Sequence, residues 1–424
     1  MPAQMDRPAD TDRQQPNWRA QLRWFGIATL ATLLLVAGIN IATDPLDAFG
    51  TPRLQGFNAL KPHLDHHREL TRWRQAGRLC PSAVILGNSR AEIGLDPEHP
   101  SFAARGLSAA NQAVPGTAVD TAYQQLQWLK SAGCMPRVVV LGVEFFDFLG
   151  AEPATPDAPA ARPAPALDAA FYAETVFSLS GLGDAMSTVL LQSARFPATL
   201  TDRGFNPLLN YEPEVARNGH FALFRQRALE NTRNWSRKTP ATRPPGDKDS
   251  FNAQHLRALL ALTADSGTEV HLLIYPYHAQ VRLLMERLSL GPVFSDWKGQ
   301  LVQLAAQAPA GKGRVHLWDF STLNPRTLEA IPAPDDKRTR LQYYWEAGHF
   351  KKALGDLMLA RMLGGEPIAF GERLDASNAQ AHEAADRQAM DQLATTPSAL
   401  RDDVEEVVKR AASSGARLVQ AAGQ

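Results

Sequence analysis

Residues 24–43, WFGIATLATLLLVAGINIAT, carry no charge. A helix of that length rises about 1.5 Å per residue and covers about 30 Å, the thickness of a bilayer's hydrocarbon core. Trp24 and Phe25 stand at one end of the run, where aromatic rings favour the membrane interface. Arg19 and Arg23 precede it, and Asp44 and Asp47 follow it. Positive charge on the N-terminal side predicts a cytoplasmic tail over residues 1–23, a transmembrane anchor over 24–43, and everything later outside the cytoplasm. The localisation that follows is the inner cell membrane, single-pass, with a periplasmic domain. A cleaved signal peptide is the competing reading. The run is long for one, and no A-x-A-like site follows it.

Over all 424 residues the chain has a globular composition, 44% hydrophobic and 21% charged. Lys+Arg and Asp+Glu both number 44. With zero formal charge and no basic stripe, the chain lacks the electrostatic footprint of a nucleic-acid-binding protein.

Short apolar runs at Ser82–Leu86, Arg137–Val143, Glu269–Ile274 and Arg314–Trp318 read as buried strands. Helical spacing of apolar positions falls at 117–131, 252–265, 279–308 and 351–363. This alternation predicts an α/β fold, a three-layer arrangement with helices on both faces of a parallel sheet. Residues 44–79 read as a short helical lead-in, and 80–372 as the α/β domain. Within it, 150–167 is a Pro/Ala-rich loop and 168–250 a helical insertion. Residues 373–424 read as a helical or disordered tail, with one or two exposed helices if ordered.

Cys80 and Cys134 each lie a few residues ahead of an apolar run, AVILG and VVVLG. If those runs are neighbouring parallel strands, both cysteines sit at one edge of the sheet. An oxidising compartment would join them; two free buried thiols is the alternative.

Two segments carry chemistry. Gly87-Asn88-Ser89-Arg90 follows the first strand, and ligands of open α/β sheets bind beyond the carboxyl ends of strands. A serine on a tight glycine-containing turn there has backbone N–H groups beside it that can receive an oxyanion. Near the end of the α/β region, Glu346 and His349 are three residues apart. That spacing lets a carboxylate orient the imidazole base that a serine nucleophile needs. Taken alone, a serine in such a turn is more often a helix cap, and Glu346 with His349 more often a surface pair. His63, His66 and His67 invite a metal reading, but without a second cluster an exposed polar face is the simpler account. The chemistry requires no metal and no cofactor.

In this order, the two segments resemble the SGNH (GDSL-like) hydrolase superfamily over residues 80–366. Gly87-Asn88-Ser89 stands where that superfamily has Gly-Asp-Ser, and Glu346-Ala347-Gly348-His349 where it has Asp-x-x-His. Asn111–Gly116 looks like its second block, so Gly116 is expected to offer an N–H to the oxyanion. The third block ends in an asparagine that completes the hole; Gly142-Val143-Glu144 departs from it, and a carboxylate cannot donate unless protonated.

The resemblance implies an SGNH, flavodoxin-like fold and a catalytic Ser89–His349–Glu346 set. Arg90 is open to two roles, holding an anionic group or forming a structural ion pair. His278, in Tyr275-Pro276-Tyr277-His278, is expected near the same rim as a substrate contact. The anchor, the serine turn, the helical insertion and the final acid-x-x-His together resemble the membrane-anchored branch that includes the alginate O-acetylation and D-alanyl-lipoteichoic acid proteins. That layout implies an O-acyltransferase or esterase acting on an acylated glycan beside a multi-spanning membrane acyltransferase. The alternative is a non-catalytic scaffold or glycan-binding subunit, which Glu144 favours. A purely structural envelope protein explains none of these motifs.

Overall fold

A computed structural model describes residues 17–64, 68–150, 152, 169–246, 248–365 and 367–422. Nearly all of the Pro/Ala-rich 150–167 loop, His66, His67 and most of the N-terminal tail lie outside the described residues.

Four strands fall where the apolar runs predict them: β1 (Ala83–Leu86), β3 (Val138–Val143), β4 (Glu269–Ile274) and β5 (Arg314–Asp319), with β2 (Ala109–Asn111) between the first two. They pair in the order β2-β1-β3-β4-β5, all parallel, and β8 (Glu372–Leu374) closes the far edge antiparallel to β5. Every residue of β1 and β3 is buried. Burial on both faces explains why these strands read as continuous apolar runs rather than alternating ones. The strand order reverses at β1, whose neighbours are β2 and β3, so the carboxyl end of β1 opens at the switch point where such sheets place ligands.

Ala83 pairs with Val138, and the two cysteines precede those positions by three and four residues at the opposite end of the sheet. Cys80 and Cys134 form a disulfide there, with Cα atoms 5.0 Å apart.

Several expectations need correction. β2 and β8 are absent from the sequence reading. β2 has only three residues, Ala-Ala-Asn, and Glu372-Arg373-Leu374 has one buried side chain, as an edge strand often does. The domain boundary expected at 372 therefore falls inside a strand. The segment beyond it is no detached tail, because Ala379–Thr395 and Ala399–Ala422 are helices that bury Met390, Val404 and Val407. Among its described residues the lead-in is helical only over Arg68–Leu79, since Pro45, Pro52 and Pro62 interrupt what precedes it. The 279–308 helix is two helices, Ala279–Arg287 and Gly291–Ala306, broken at Ser289 in the left-handed region and restarted with Pro292 in the first turn.

The N-terminal helix runs from Trp18 to Thr43 and is long and apolar enough to cross a membrane. Its C-terminal end is fastened. Asp44 leaves the helix in the left-handed region, and its carboxylate accepts from the N–H groups of Ala48, Phe49 and Thr51. Lys61 Nζ donates to the carbonyls of Thr43 and Asp44, both at 2.8 Å. These bonds answer the carbonyls that a helix end leaves open.

Candidate active site

β1 is followed by Gly87, whose φ of +137° favours a residue without a side chain. Asn88 then caps the Ser89–Gly94 helix, its Oδ1 accepting from the Arg90 N–H at 3.1 Å. Ser89 is therefore the first helical residue, not the cap, and its own N–H has no partner among the described residues. The turn is cramped from below: a Cβ on Gly87 would lie 2.5 Å from the Tyr275 hydroxyl oxygen, and one on Gly142 only 2.1 Å. Both positions must stay bare for Tyr275 to fit under the serine.

His349 reaches Ser89 from a two-stranded hairpin, β6 (Tyr344–Glu346) and β7 (His349–Phe350), which the sequence did not announce. Its Nε2 lies 2.8 Å from Ser89 Oγ, and its Nδ1 is hydrogen-bonded to Glu346 Oε1. Glu346 is 1% exposed. Its second oxygen accepts from the Gly348 N–H at 2.5 Å and pairs with Arg227 Nε at 3.3 Å. Burial pushes this carboxyl upward, but His349, Arg227 and the Gly348 N–H together hold it below the usual glutamate range. An ionised Glu346 accepts a hydrogen bond from Nδ1–H, which leaves Nε2 unprotonated and able to take the proton of Ser89. Tyr211, close to the same carboxylate, is pushed up to about 12 by burial and by Glu346.

No family model, curated protein or solved structure matches this chain.

Gly116 occupies the third position of a Val114-Pro115-Gly116-Thr117 turn, with φ +75° and a Thr117 N–H to Val114 carbonyl bond of 3.3 Å. That is the type II pattern, proline second and glycine third. Val114 also donates to the Gly87 carbonyl at 2.9 Å, which straps this turn to the serine turn. The Gly116 N–H has no partner among the described residues.

Glu144 is committed elsewhere. It pairs with Arg90 and accepts from the Tyr277 hydroxyl at 2.5 Å. The Arg90 guanidinium also lies 5.8 Å and 5.4 Å from the ring centres of Tyr275 and Tyr277. Of the two roles open to Arg90, the structure has the ion pair.

His278 is not at the rim. It is 1% exposed and caps the Ala279–Arg287 helix through Nδ1, which accepts from the Gln280 N–H at 3.1 Å. Its Nε2 donates to the Glu329 carbonyl at 2.8 Å. With both nitrogens occupied, it has nothing to offer a substrate, contrary to the expected contact.

Arg227 was not anticipated. It comes from the His220–Trp235 helix of the insertion, and no local pattern in that segment marks it. Glu269, His271 and His316 bring three potential metal ligands together at the opposite end of the sheet. Their hydrogen bonds argue against an ion. His271 Nδ1 accepts from Trp318 Nε1 at 3.2 Å, so its proton sits on the Nε2 that faces Glu269, and Arg105 takes the other carboxylate oxygen. Of the lead-in histidines, His63 bonds the Ser187 hydroxyl.

Proposed function

We propose that this protein is a membrane-anchored, extracytoplasmic serine acyl-ester enzyme of the SGNH type, an O-acyltransferase or esterase for a cell-envelope or exported polysaccharide. The observation that carries this reading is the continuous chain from Ser89 Oγ through the two His349 nitrogens to a buried Glu346. His349 takes the Ser89 proton as Oγ attacks an acyl carbonyl. The ester bond to the leaving alkoxide breaks, and His349 returns the proton to that oxygen. The acyl-serine then passes its acyl group to a glycan hydroxyl or to water by the same steps reversed. The N–H groups of Ser89 and Gly116 receive the transient oxyanion. Strand order 2-1-3-4-5 with the serine beyond β1 supports the flavodoxin-like assignment. The disulfide supports an oxidising compartment, and the basic flank of the apolar helix supports a periplasmic domain on the inner membrane. A multi-spanning acyltransferase is the fitting donor-side partner.

The test uses the full chain in detergent, with p-nitrophenyl acetate and a fluorophosphonate probe. Wild type turns over the ester and is labelled; Ser89→Ala and His349→Ala lose turnover, and Ser89→Ala loses labelling. Activity surviving in both variants refutes the assignment. A second reading, a glycan-binding scaffold on the same fold, is favoured by one observation. Glu144 fills the position of the missing donor and is bound to Arg90. Absence of both turnover and labelling in wild type would select it.

A further inference from the structure

The N-terminal helix is not free along its whole apolar length. Val36, Ala37, Asn40 and Thr43 are buried against the rest of the chain. The uncovered apolar stretch, Trp24–Leu35, is twelve residues, or about 18 Å. A hydrocarbon core is about 30 Å thick. If the helix crosses a membrane, the parts that grip residues 36–43 sit at the depth of acyl chains and must be apolar on their outer side.

The gripping element is the Leu179–Leu190 helix. Its Gly181, Ala185 and Thr188 face is buried, and a Cβ on Gly181 would lie 3.0 Å from Asn40 Nδ2. Asn40 donates to the Val176 carbonyl at 2.8 Å just before it. The opposite face carries Leu179, Met186 and Leu190, which are 82%, 58% and 74% exposed. Phe177 and Phe196 extend the patch at either end. Outside the N-terminal helix, eleven large apolar side chains are exposed among the described residues, and eight of them fall within 172–196. Such concentration marks an interaction surface rather than scatter. Between the two helices runs a groove of about 530 Å³ lined by Leu34, Leu35, Ile39 and Met186. Arg195 lies over the Phe196 ring, 5.1 Å from its centre, a cation set beside an aromatic as at a membrane interface.

We propose that the outer face of the Leu179–Leu190 helix is seated in the lipid leaflet from which the large domain emerges, completing the apolar belt that Trp24–Leu35 is too short to supply. The occupant is the bilayer itself, with acyl chains against Leu179, Met186 and Leu190 and along the groove, and Arg195 at the phosphates. This rests on the membrane reading above and needs none of the catalytic one.

Both native cysteines are in the disulfide and no free cysteine is present among the described residues. Single-cysteine variants Leu33→Cys, Met186→Cys, Leu190→Cys and Lys409→Cys of the full chain can therefore be spin-labelled in liposomes of phosphatidylethanolamine and phosphatidylglycerol. All four positions are exposed, so the substitutions spare the core. The readout is the ratio of collision rates with oxygen and with a water-soluble nickel chelate. The expected result is a ratio several-fold above the Lys409 value at positions 33, 186 and 190. A lipid-like ratio at 33 with water-like ratios at 186 and 190 overturns the seating and keeps the anchor. A water-like ratio at 33 overturns the anchor and the seating with it.

Discussion

Phe350 occupies the space that a side chain on Gly94 would need: a Cβ there would lie 2.0 Å from Phe350 Cε2. Gly94 ends the helix that begins at Ser89, and Phe350 follows His349. The contact therefore sets how closely the base approaches the nucleophile. Gly355 makes the same demand, since a Cβ on it would fall 1.7 Å from the Gly94 carbonyl oxygen. Gly94→Ala is expected to displace the hairpin, cost about 1–3 kcal/mol of stability through overpacking, and lower ester turnover by roughly 100-fold. Thermal melting and turnover of p-nitrophenyl acetate, measured on the same sample, check both. Unchanged turnover would show that the hairpin is not held by this contact.

Arg227 is expected to act on the acid side of the pH profile. It helps hold Glu346 below the usual range, so without it the carboxyl protonates at a higher pH. In Arg227→Met the fall of activity with decreasing pH should begin at higher pH than in wild type. At neutral pH the loss should be on the order of tenfold or less, because Arg227 is more than one-third exposed and its pairing is screened. A pH–rate profile that scales down without moving would remove Arg227 from this role.

His278 makes the fold acid-sensitive. Burial pushes it down to about 4, against the opposing pull of the Glu329 carbonyl. As pH falls below about 6.5, the unfolded chain binds this proton first, so stability declines until the folded histidine titrates near 4. The loss over that window should be on the order of 2–3 kcal/mol. His278→Asn can keep the helix cap and does not titrate, so its urea midpoint should fall less between pH 6.5 and 4. Parallel pH dependence in the two proteins would contradict this.

The Cys80–Cys134 bond closes a loop with a sequence separation of 54. On the chain-entropy account such a loop restricts the unfolded state by about 4 kcal/mol. Urea unfolding with and without reductant, and of the double serine variant, should show a loss of that order. A midpoint indifferent to reductant would mean the bond is absent from the folded protein.

The strands, the disulfide pair and the residues of the site differ in how far sequence reveals them. β1 and β3 are legible because burial on both faces leaves an uninterrupted apolar run. β8 is not, because an edge strand buries little: Glu372 and Arg373 face solvent and look like loop. Ser89 and the Glu346–His349 pair are legible because each is a compact motif beside a recognisable element. Arg227 is invisible, since its partner lies 119 positions away and nothing in its helix singles out one arginine from Arg225 or Arg233. His278 shows the converse failure. Its segment follows β4, but the direction of its side chain depends on the Gln280 N–H, which calls for a cap.

The knot of Asp44 and Lys61 at the end of the N-terminal helix leaves no swivel between that helix and the domain it carries. On the membrane reading, Ser89 then stands at one fixed height and one fixed heading above the lipid. So held, it would not reach for the proposed partner but would drift and spin in the plane until one arrived at the same level. Two such bodies confined to a sheet search for one another in two dimensions. Their meeting depends on how crowded the membrane is, not on the length of a tether.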